Sequence, residues 1–229
     1  MGEKSFGIDP SVLKTVAKEI HAVHRAGVET AIVIGGGNIF RGLNCSEYDM
    51  DRVQADHMGM LATVINALAL GEALRRRSLD IRIMSAIEMD RITEPYIREK
   101  ALTHLTKKRI VLLAAGTGSP YFSTDTAAAL RAMELKAEVL LKATKVEGVY
   151  DSDPVENPSS KLFERLTYKE VIEKGLKVMD LTAVSLAMEQ NLPIIVFNLR
   201  KKDNIKSVIF GQSIGTLITG ENHERRNPI

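Results

Sequence analysis

The segment AIVIGGGNIFRG, residues 31–42, constrains the fold more than any other stretch. Ala31–Ile34 is a short apolar run rich in β-branched side chains, the pattern of a buried strand. Gly35, Gly36 and Gly37 then end it. Three consecutive glycines weaken strand and helix alike, because none carries a side chain to pack. What they allow is close approach of a ligand to the backbone, with several N–H groups turned toward one point, which is how a loop binds phosphate. Arg41 follows four residues after Gly37 with a planar fork of donors suited to phosphate oxygens. A tight turn between strand and helix needs only one glycine. The run of three, placed directly after a strand, favours an anion loop.

The rest of the chain alternates in period. The spacing predicts a helix over about 10–26, capped by Asp9 with Pro10 at its first position and ended by Gly27. A strand over 29–34 follows, then a long helix over 51–77 that can break at Gly59 or Gly71. That helix is apolar over much of its girth, so more than one side is expected to be buried, the second by a subunit interface. Strands are predicted over 81–84, 109–115, 138–142, 193–197 and 216–218. Helices are predicted over 96–105, 124–135, 167–175, 181–190 and 203–210. Alternation of this kind gives an α/β fold, a three-layer αβα sandwich with a mostly parallel central sheet. In such sheets ligands bind at the carboxyl ends of the strands. Both glycine-rich loops, 35–37 and 116–124, fall there. Residues 1–220 read as one domain, with the polar loop Asp151–Ser160 as the only seam, and the charged stretch 221–229 as a loose tail.

Composition narrows the function classes. Net charge is +2 and there is no Trp, which argues against a nucleic-acid partner. Arg75–Arg77 reads as a basic helix end, where cations suit the dipole. One cysteine, Cys45, excludes an internal disulfide and points to a reducing, cytoplasmic setting. No signal peptide and no apolar run near 18 residues stand out, so no membrane partner is expected. The G-x-x-x-x-G-K-[ST] loop and the protein-kinase catalytic loop are both missing, and no Cys/His spacing predicts a metal site of the protein's own.

The second glycine loop contains Thr117, Gly118, Ser119, Pro120, Tyr121, Phe122, Ser123 and Thr124. Ser123 or Thr124 can cap the following helix, and Asp125 suits its first turn. Thr117, Gly118 and Ser119 exceed what capping needs, so the loop reads as a second anion site. Asp56 can accept hydrogen bonds from both hydroxyls of a ribose, or can be a surface residue near a helix start. Asp125 and Asp180 are candidate acids near strand ends, and Asp180 equally fits a helix cap. Lys142, read at the end of strand 138–142, can meet a transferred phosphate or be an ordinary edge lysine. Tyr150 can stack on a purine, and Asp153 can accept from base or ribose.

Together the segments IGGGNIFRG (34–42), DHMGMLAT (56–63), AGTGSPYFSTD (115–125), LKATKVEGVYDSDP (141–154) and LKVMDLTA (176–183) resemble the amino acid kinase family, in its bacterial branch that acts on UMP. The resemblance runs from about Phe6 to Ile218. It implies an amino acid kinase-like fold and transfer of the γ-phosphate of MgATP to UMP, giving UDP in pyrimidine nucleotide biosynthesis. The front half, about 1–150, would form the UMP side, and the back half, about 136–220, the ATP side. By position, Gly36, Asp56 and Thr117–Thr124 match UMP contacts. Gly37, Arg41, Thr144, Tyr150 and Asp153 match ATP contacts. Arg41, Asp125, Lys142 and Asp180 match groups near the transferred phosphate. The family pattern also implies a homohexamer, activated by GTP and inhibited by UTP, with Gly2–Gly7 in the GTP-responsive region.

One family feature has no counterpart here. Relatives begin with a strand ending in a K-L-S-G-E type segment, whose lysine and glycine hold ATP phosphates, whereas Gly2–Asp9 already aligns beyond it. The expectation is a start placed too late, since everything downstream keeps nucleotide-binding residue types. The alternatives are a nucleotide-binding regulatory subunit without turnover, or a related kinase acting on a carboxylate or carbamate.

Overall fold

A computed structural model describes residues 6–40 and 49–220. The chain divides into two compact units, Met1–Ala127 and Ala128–Ile229. The division falls inside a helix rather than in the Asp151–Ser160 loop, which is instead the loop of a hairpin.

The first unit is built on four parallel strands: β1 (Ala31–Val33), β2 (Ile81–Ser85), β3 (Glu94–Pro95) and β4 (Ile110–Ala114), in the order β1-β4-β2-β3. Ala31 pairs with Val111 and Val33 with Leu113, while Ile81 pairs with Ile110 and Ser85 with Ala114. All five residues of β4 are buried. An uninterrupted apolar strand is what a parallel sheet covered on both faces requires. Helix α1 (Pro10–Arg25) starts at Asp9, whose carboxylate accepts the Ser11 N–H, and buries Ala17, Ile20 and Val23.

Helix α2 (Arg52–Arg75) is continuous. The glycines that could have broken it mark close approaches instead. A Cβ on Gly71 would lie 2.8 Å from Ile83 Cδ1, so α2 rests directly on β2. Its residues Met60, Val64, Ala67, Leu70 and Leu74 share one core with Ile20, Ile81, Ile83, Ile110 and Leu112. By length and composition α2 could cross a membrane, contrary to the sequence expectation. Its apolarity has another cause here: it packs on α1, β2 and β4 at once. Helix α3 (Arg98–Thr106) packs beside β4.

Helix α4 (Thr124–Glu134) spans the division. The second unit pairs β5 (Leu140–Thr144), β9 (Ile194–Asn198), β10 (Thr216–Thr219) and β8 (Arg165–Thr167) in the order β5-β9-β10-β8. Two of its three pairings are parallel and β9-β10 is antiparallel. A ribbon of β6 (Val149–Tyr150) and β7 (Leu162–Phe163) is tied to this sheet by Thr216, whose hydroxyl accepts the Val149 N–H at 2.8 Å and donates to the Phe163 carbonyl. Helices α5 (Tyr168–Glu173), α6 (Leu181–Glu189) and α7 (Asn204–Ile209) complete the unit. Thr167 and Glu170 close a reciprocal capping box on α5. Tyr168 is buried and donates its hydroxyl to the Leu192 carbonyl; burial pushes the phenol well above its ordinary range.

The class is α/β with mostly parallel pairing, as the alternation implies. Four strands escaped the pattern. β3, β6 and β7 have two residues each and β8 three, too few to show an alternation. Strand β5 lies two residues later than expected, which moves Lys142 from the strand end to its middle. The 221–229 tail lies outside the described residues.

Leu112 has no exposed surface at the centre of the parallel sheet. Leu112→Ala is expected to lower stability by about 3 kcal/mol through lost burial and a residual cavity. Urea unfolding checks this; an unchanged midpoint would contradict the packing.

Candidate functional site

The site of the first unit is laid out by one face of α2. Asp56, Gly59, Thr63 and Asn66 are spaced three, four and three residues apart, so they stack along one side of the helix. The first glycine loop lies against that side. Gly36 is buried, and a Cβ there would sit 2.7 Å from the Gly59 carbonyl oxygen, 2.8 Å from Ala62 Cβ and 3.0 Å from the Thr63 nitrogen. Backbone therefore rests on backbone, which only glycine permits. Asn66 Nδ2 donates to the Gly35 carbonyl at 2.8 Å. Asn66 and Asn38 exchange amide hydrogen bonds at 2.6 and 3.1 Å, and Asn38 also donates to the Gly7 carbonyl at 2.9 Å. The Ile39 and Phe40 N–H groups close back onto the Gly36 carbonyl, both at 2.9 Å. Gly35 and Gly37, on either side of Gly36, are exposed.

The second loop is strained and is held by the same helix. Ala115, Gly116, Gly118 and Tyr121 all have positive φ, at 61°, 59°, 84° and 71°. For the two non-glycine residues that backbone is unfavourable, by an amount of order 1–3 kcal/mol each. Both are pinned by α2. The Ala115 N–H donates to the Thr63 hydroxyl at 2.7 Å, and the Tyr121 N–H donates to Asp56 Oδ2 at 2.8 Å. Gly118 passes so near Ala86 that a Cβ would lie 2.9 Å from its carbonyl oxygen. Thr117 and Ser119 bond within the loop. Of the two capping candidates the structure selects Ser123, whose hydroxyl accepts the Asp125 and Thr126 N–H groups at 3.0 and 3.1 Å. Thr124 is then the first helical residue, and its side chain faces Gly35. The two glycine loops thus meet at the start of α4.

Chemically this is an anion cradle with a hydroxyl acceptor beside it. Loop amides and the helix start favour a phosphate. Asp56 is half-buried; Arg52 Nε lies 2.9 Å from each of its oxygens. With the Tyr121 amide on Oδ2 that makes three contacts on roughly four lone-pair positions of a carboxylate, leaving about one, on Oδ1, for a hydroxyl donor. Tyr121 and Phe122 present exposed rings at the rim.

Lys142, Thr144, Tyr150, Asp153 and Asp180 lie in the second unit. Lys142 is half-buried in the middle of β5, and Thr144 ends that strand. The Thr144 hydroxyl bonds within its own turn, to the Val146 carbonyl at 2.7 Å, and reaches the Phe197 carbonyl at 3.1 Å. The next turn is fixed by Glu147, which accepts from Asn198 Nδ2 and Lys201 Nζ, each at 2.9 Å. Burial raises the Glu147 carboxyl, but those two donors outweigh it and hold it below the usual range. Tyr150 is half-buried in the ribbon, and Asp153 accepts the Val155 N–H at 2.8 Å in the turn after it. Asp180 caps α6 through the Ala183 N–H at 2.9 Å. Arg41 lies outside the described residues. Among the described residues no group of three His, Cys, Asp or Glu side chains could hold a metal ion.

Sequence reasoning missed Arg52, Thr63, Asn38 and Asn66. For Arg52, Thr63 and Asn66 the signal was present, as polar residues at three- and four-residue steps along the face of Asp56 in an otherwise apolar helix; Asn38 lies in the glycine loop and carries no such signal. The contrast between neighbouring glycines gives a test. Gly36→Ala should cost about 1–3 kcal/mol by overpacking. A Cβ on Gly35 would meet only Thr124 side-chain atoms, at 3.8 and 3.9 Å, so Gly35→Ala should stay within about 0.5 kcal/mol. Equal losses in urea titrations would contradict the close approach.

Residues 1–198 match the model of the amino acid kinase family. Among solved structures, the chain is similar over 96% of its length to UMP kinase from Bacillus anthracis, at 38% identity and TM-score 0.92, covering 91% of that chain. It is similar over 96% of its length to UMP kinase from Ureaplasma parvum, at 37% identity and TM-score 0.90, covering 93% of that chain. Uridylate kinase from Archaeoglobus fulgidus aligns with 92% of this chain and 94% of its own, at 27% identity and TM-score 0.73. Two glycine loops seated on one helix, in a parallel α/β chain with these likenesses, place the protein: it belongs to the amino acid kinase family.

Proposed function

We propose that this chain is a nucleoside monophosphate kinase that transfers the γ-phosphate of MgATP to UMP, giving UDP for pyrimidine nucleotide biosynthesis. The observation that carries the reading is the Asp56 carboxylate bonded to the Tyr121 amide. It joins a ribose acceptor to the lip of a phosphate cradle, in a chain 37–38% identical to two UMP kinases. A carboxylate or carbamate acceptor would have no use for that pairing.

In this reading Gly36 and the Thr117–Thr124 loop receive the UMP phosphate, and Asp56 holds the ribose. Gly37, Thr144, Tyr150 and Asp153 serve ATP, with the adenine near Tyr150. Arg41 and Lys142 neutralise charge on the phosphoryl group, and Asp125 and Asp180 organise them. Magnesium bound to ATP supplies further charge neutralisation at the phosphates. Nothing forms a covalent intermediate; catalysis is positioning and electrostatics. A coupled assay for ATP-dependent conversion of UMP to UDP tests the activity. Asp56→Asn should raise the UMP KM about tenfold, as expected for a weakened bond to a charged group, with the ATP KM within about twofold. Equal effects on both would contradict the ribose role.

We infer self-association as well. Met58, Leu61, Ile65 and Leu68 form an exposed apolar stripe on α2, opposite the face that holds the loops. The occupant proposed is a second copy of this chain, within a hexamer responsive to GTP and UTP in the cytoplasm. Ile65→Asp should lower the mass seen by sedimentation equilibrium at micromolar concentration. An unchanged mass would remove this face from the assembly.

A further inference from the structure

The geometry points to Arg52 as a positioning residue that sets ribose recognition, an inference that rests on the UMP reading of Asp56. Arg52 is the first residue of α2, and its place there runs against helix energetics. A cation in the first turn opposes the dipole, and a base four residues ahead of an acid is the weaker order for a helical pair. The first turn is already capped by Asp51, which accepts the Val53 and Gln54 N–H groups at 2.9 and 3.3 Å. Helix stability therefore does not account for an arginine at this position.

Its contacts do. Arg52 Nε stands 2.9 Å from both oxygens of Asp56, one N–H shared between the two rather than gripping one end. The guanidinium carbon lies 5.6 Å from the centroid of the Tyr121 ring, within cation–π range. The Tyr121 amide closes the triangle on Asp56 Oδ2 at 2.8 Å. One side chain thus holds both the hydroxyl acceptor and the aromatic residue of the loop, and Tyr121 is one of the strained positions. The Asp56 side chain keeps only 13% of its surface exposed, so a nearby compensating charge matters more than it would at an open site. The position left on Oδ1 of a carboxylate so held accepts a ribose hydroxyl. Without Arg52 the carboxylate loses its charge partner and one of its two anchors, and the distinction between a ribose and a 2′-deoxyribose weakens.

The test is a double-mutant cycle with UMP and dUMP as alternative acceptors, in the coupled assay on the full chain, with melting temperature recorded for each variant. Arg52→Gln is expected to raise the UMP KM about fivefold to tenfold and to cut the preference for UMP over dUMP at least threefold. The ATP KM and kcat should stay within about twofold. In the Asp56→Asn background the same substitution should add less than about twofold, because its partner is gone. If Asp56→Asn impairs UMP use while Arg52→Gln leaves KM and the UMP/dUMP preference at their original values, the proposal falls and the UMP reading stands. Multiplicative effects in the cycle, or equal losses with both acceptors, overturn it in the same way. If Asp56→Asn changes neither KM nor preference, the ribose reading itself fails and takes this one with it. Should Arg52→Gln not fold, Arg52→Lys keeps the charge but not the planar contact. It should still halve the preference, and an unchanged preference overturns the proposal.

Discussion

The Gly36 backbone lies on the Gly59 carbonyl with no space for a methyl group, and the rest of the first unit's site depends on that contact. It seats the first glycine loop one residue after β1 on the middle of α2. From there Thr63 and Asp56, on the same face, reach the second loop. A side chain at residue 36 would lift the loop and separate the amides of Gly35–Gly37 from those of 115–123. Two glycine loops would remain, but they would no longer meet at the start of α4.

Helix α2 carries three functions on three sides, and this explains its composition. One side, Asp56, Gly59, Thr63 and Asn66, binds loops. A second, with Val64, Ala67, Gly71 and Leu74, packs on the sheet. The third, Met58, Leu61, Ile65 and Leu68, is apolar and exposed within this chain. A helix with two apolar sides and one of small residues has no polar face to betray its orientation, and it passes for a membrane segment by length. Thr63 and Asp56 stabilise the two backbone positions, Ala115 and Tyr121, that local energetics disfavour. Strain in the loop and hydrogen-bonding capacity on the helix are thus matched residue for residue.

How much of this could be read beforehand follows from the range of the forces involved. The glycine run after β1, the apolar strand β4 and the long periodic helix are local patterns, and all three were legible. Asp9, Asp51, Ser123 and Asp180 cap helices through neighbours two or three residues away, which is also within reach of a linear reading. Strands of two or three residues were not legible, because β3, β6, β7 and β8 exist through their partners rather than through their own pattern. The placement of Lys142 shifted because the edges of an apolar run do not mark where pairing begins: β5 starts opposite Ile194. The contacts that build the site span greater distances, 52 residues from Thr63 to Ala115 and 65 from Asp56 to Tyr121. No local preference encodes them. The resemblance could indicate that Asp56 and the loop act together, but only the fold shows the hydrogen bond by which they do.

A crystal structure of this chain with UMP bound is the most direct test of the central claim. The account predicts the phosphate against the Gly36 backbone and the second loop, with a ribose hydroxyl on Asp56 and Thr63 still holding Ala115. UMP bound elsewhere, or bound with Asp56 turned away from the sugar, would contradict it.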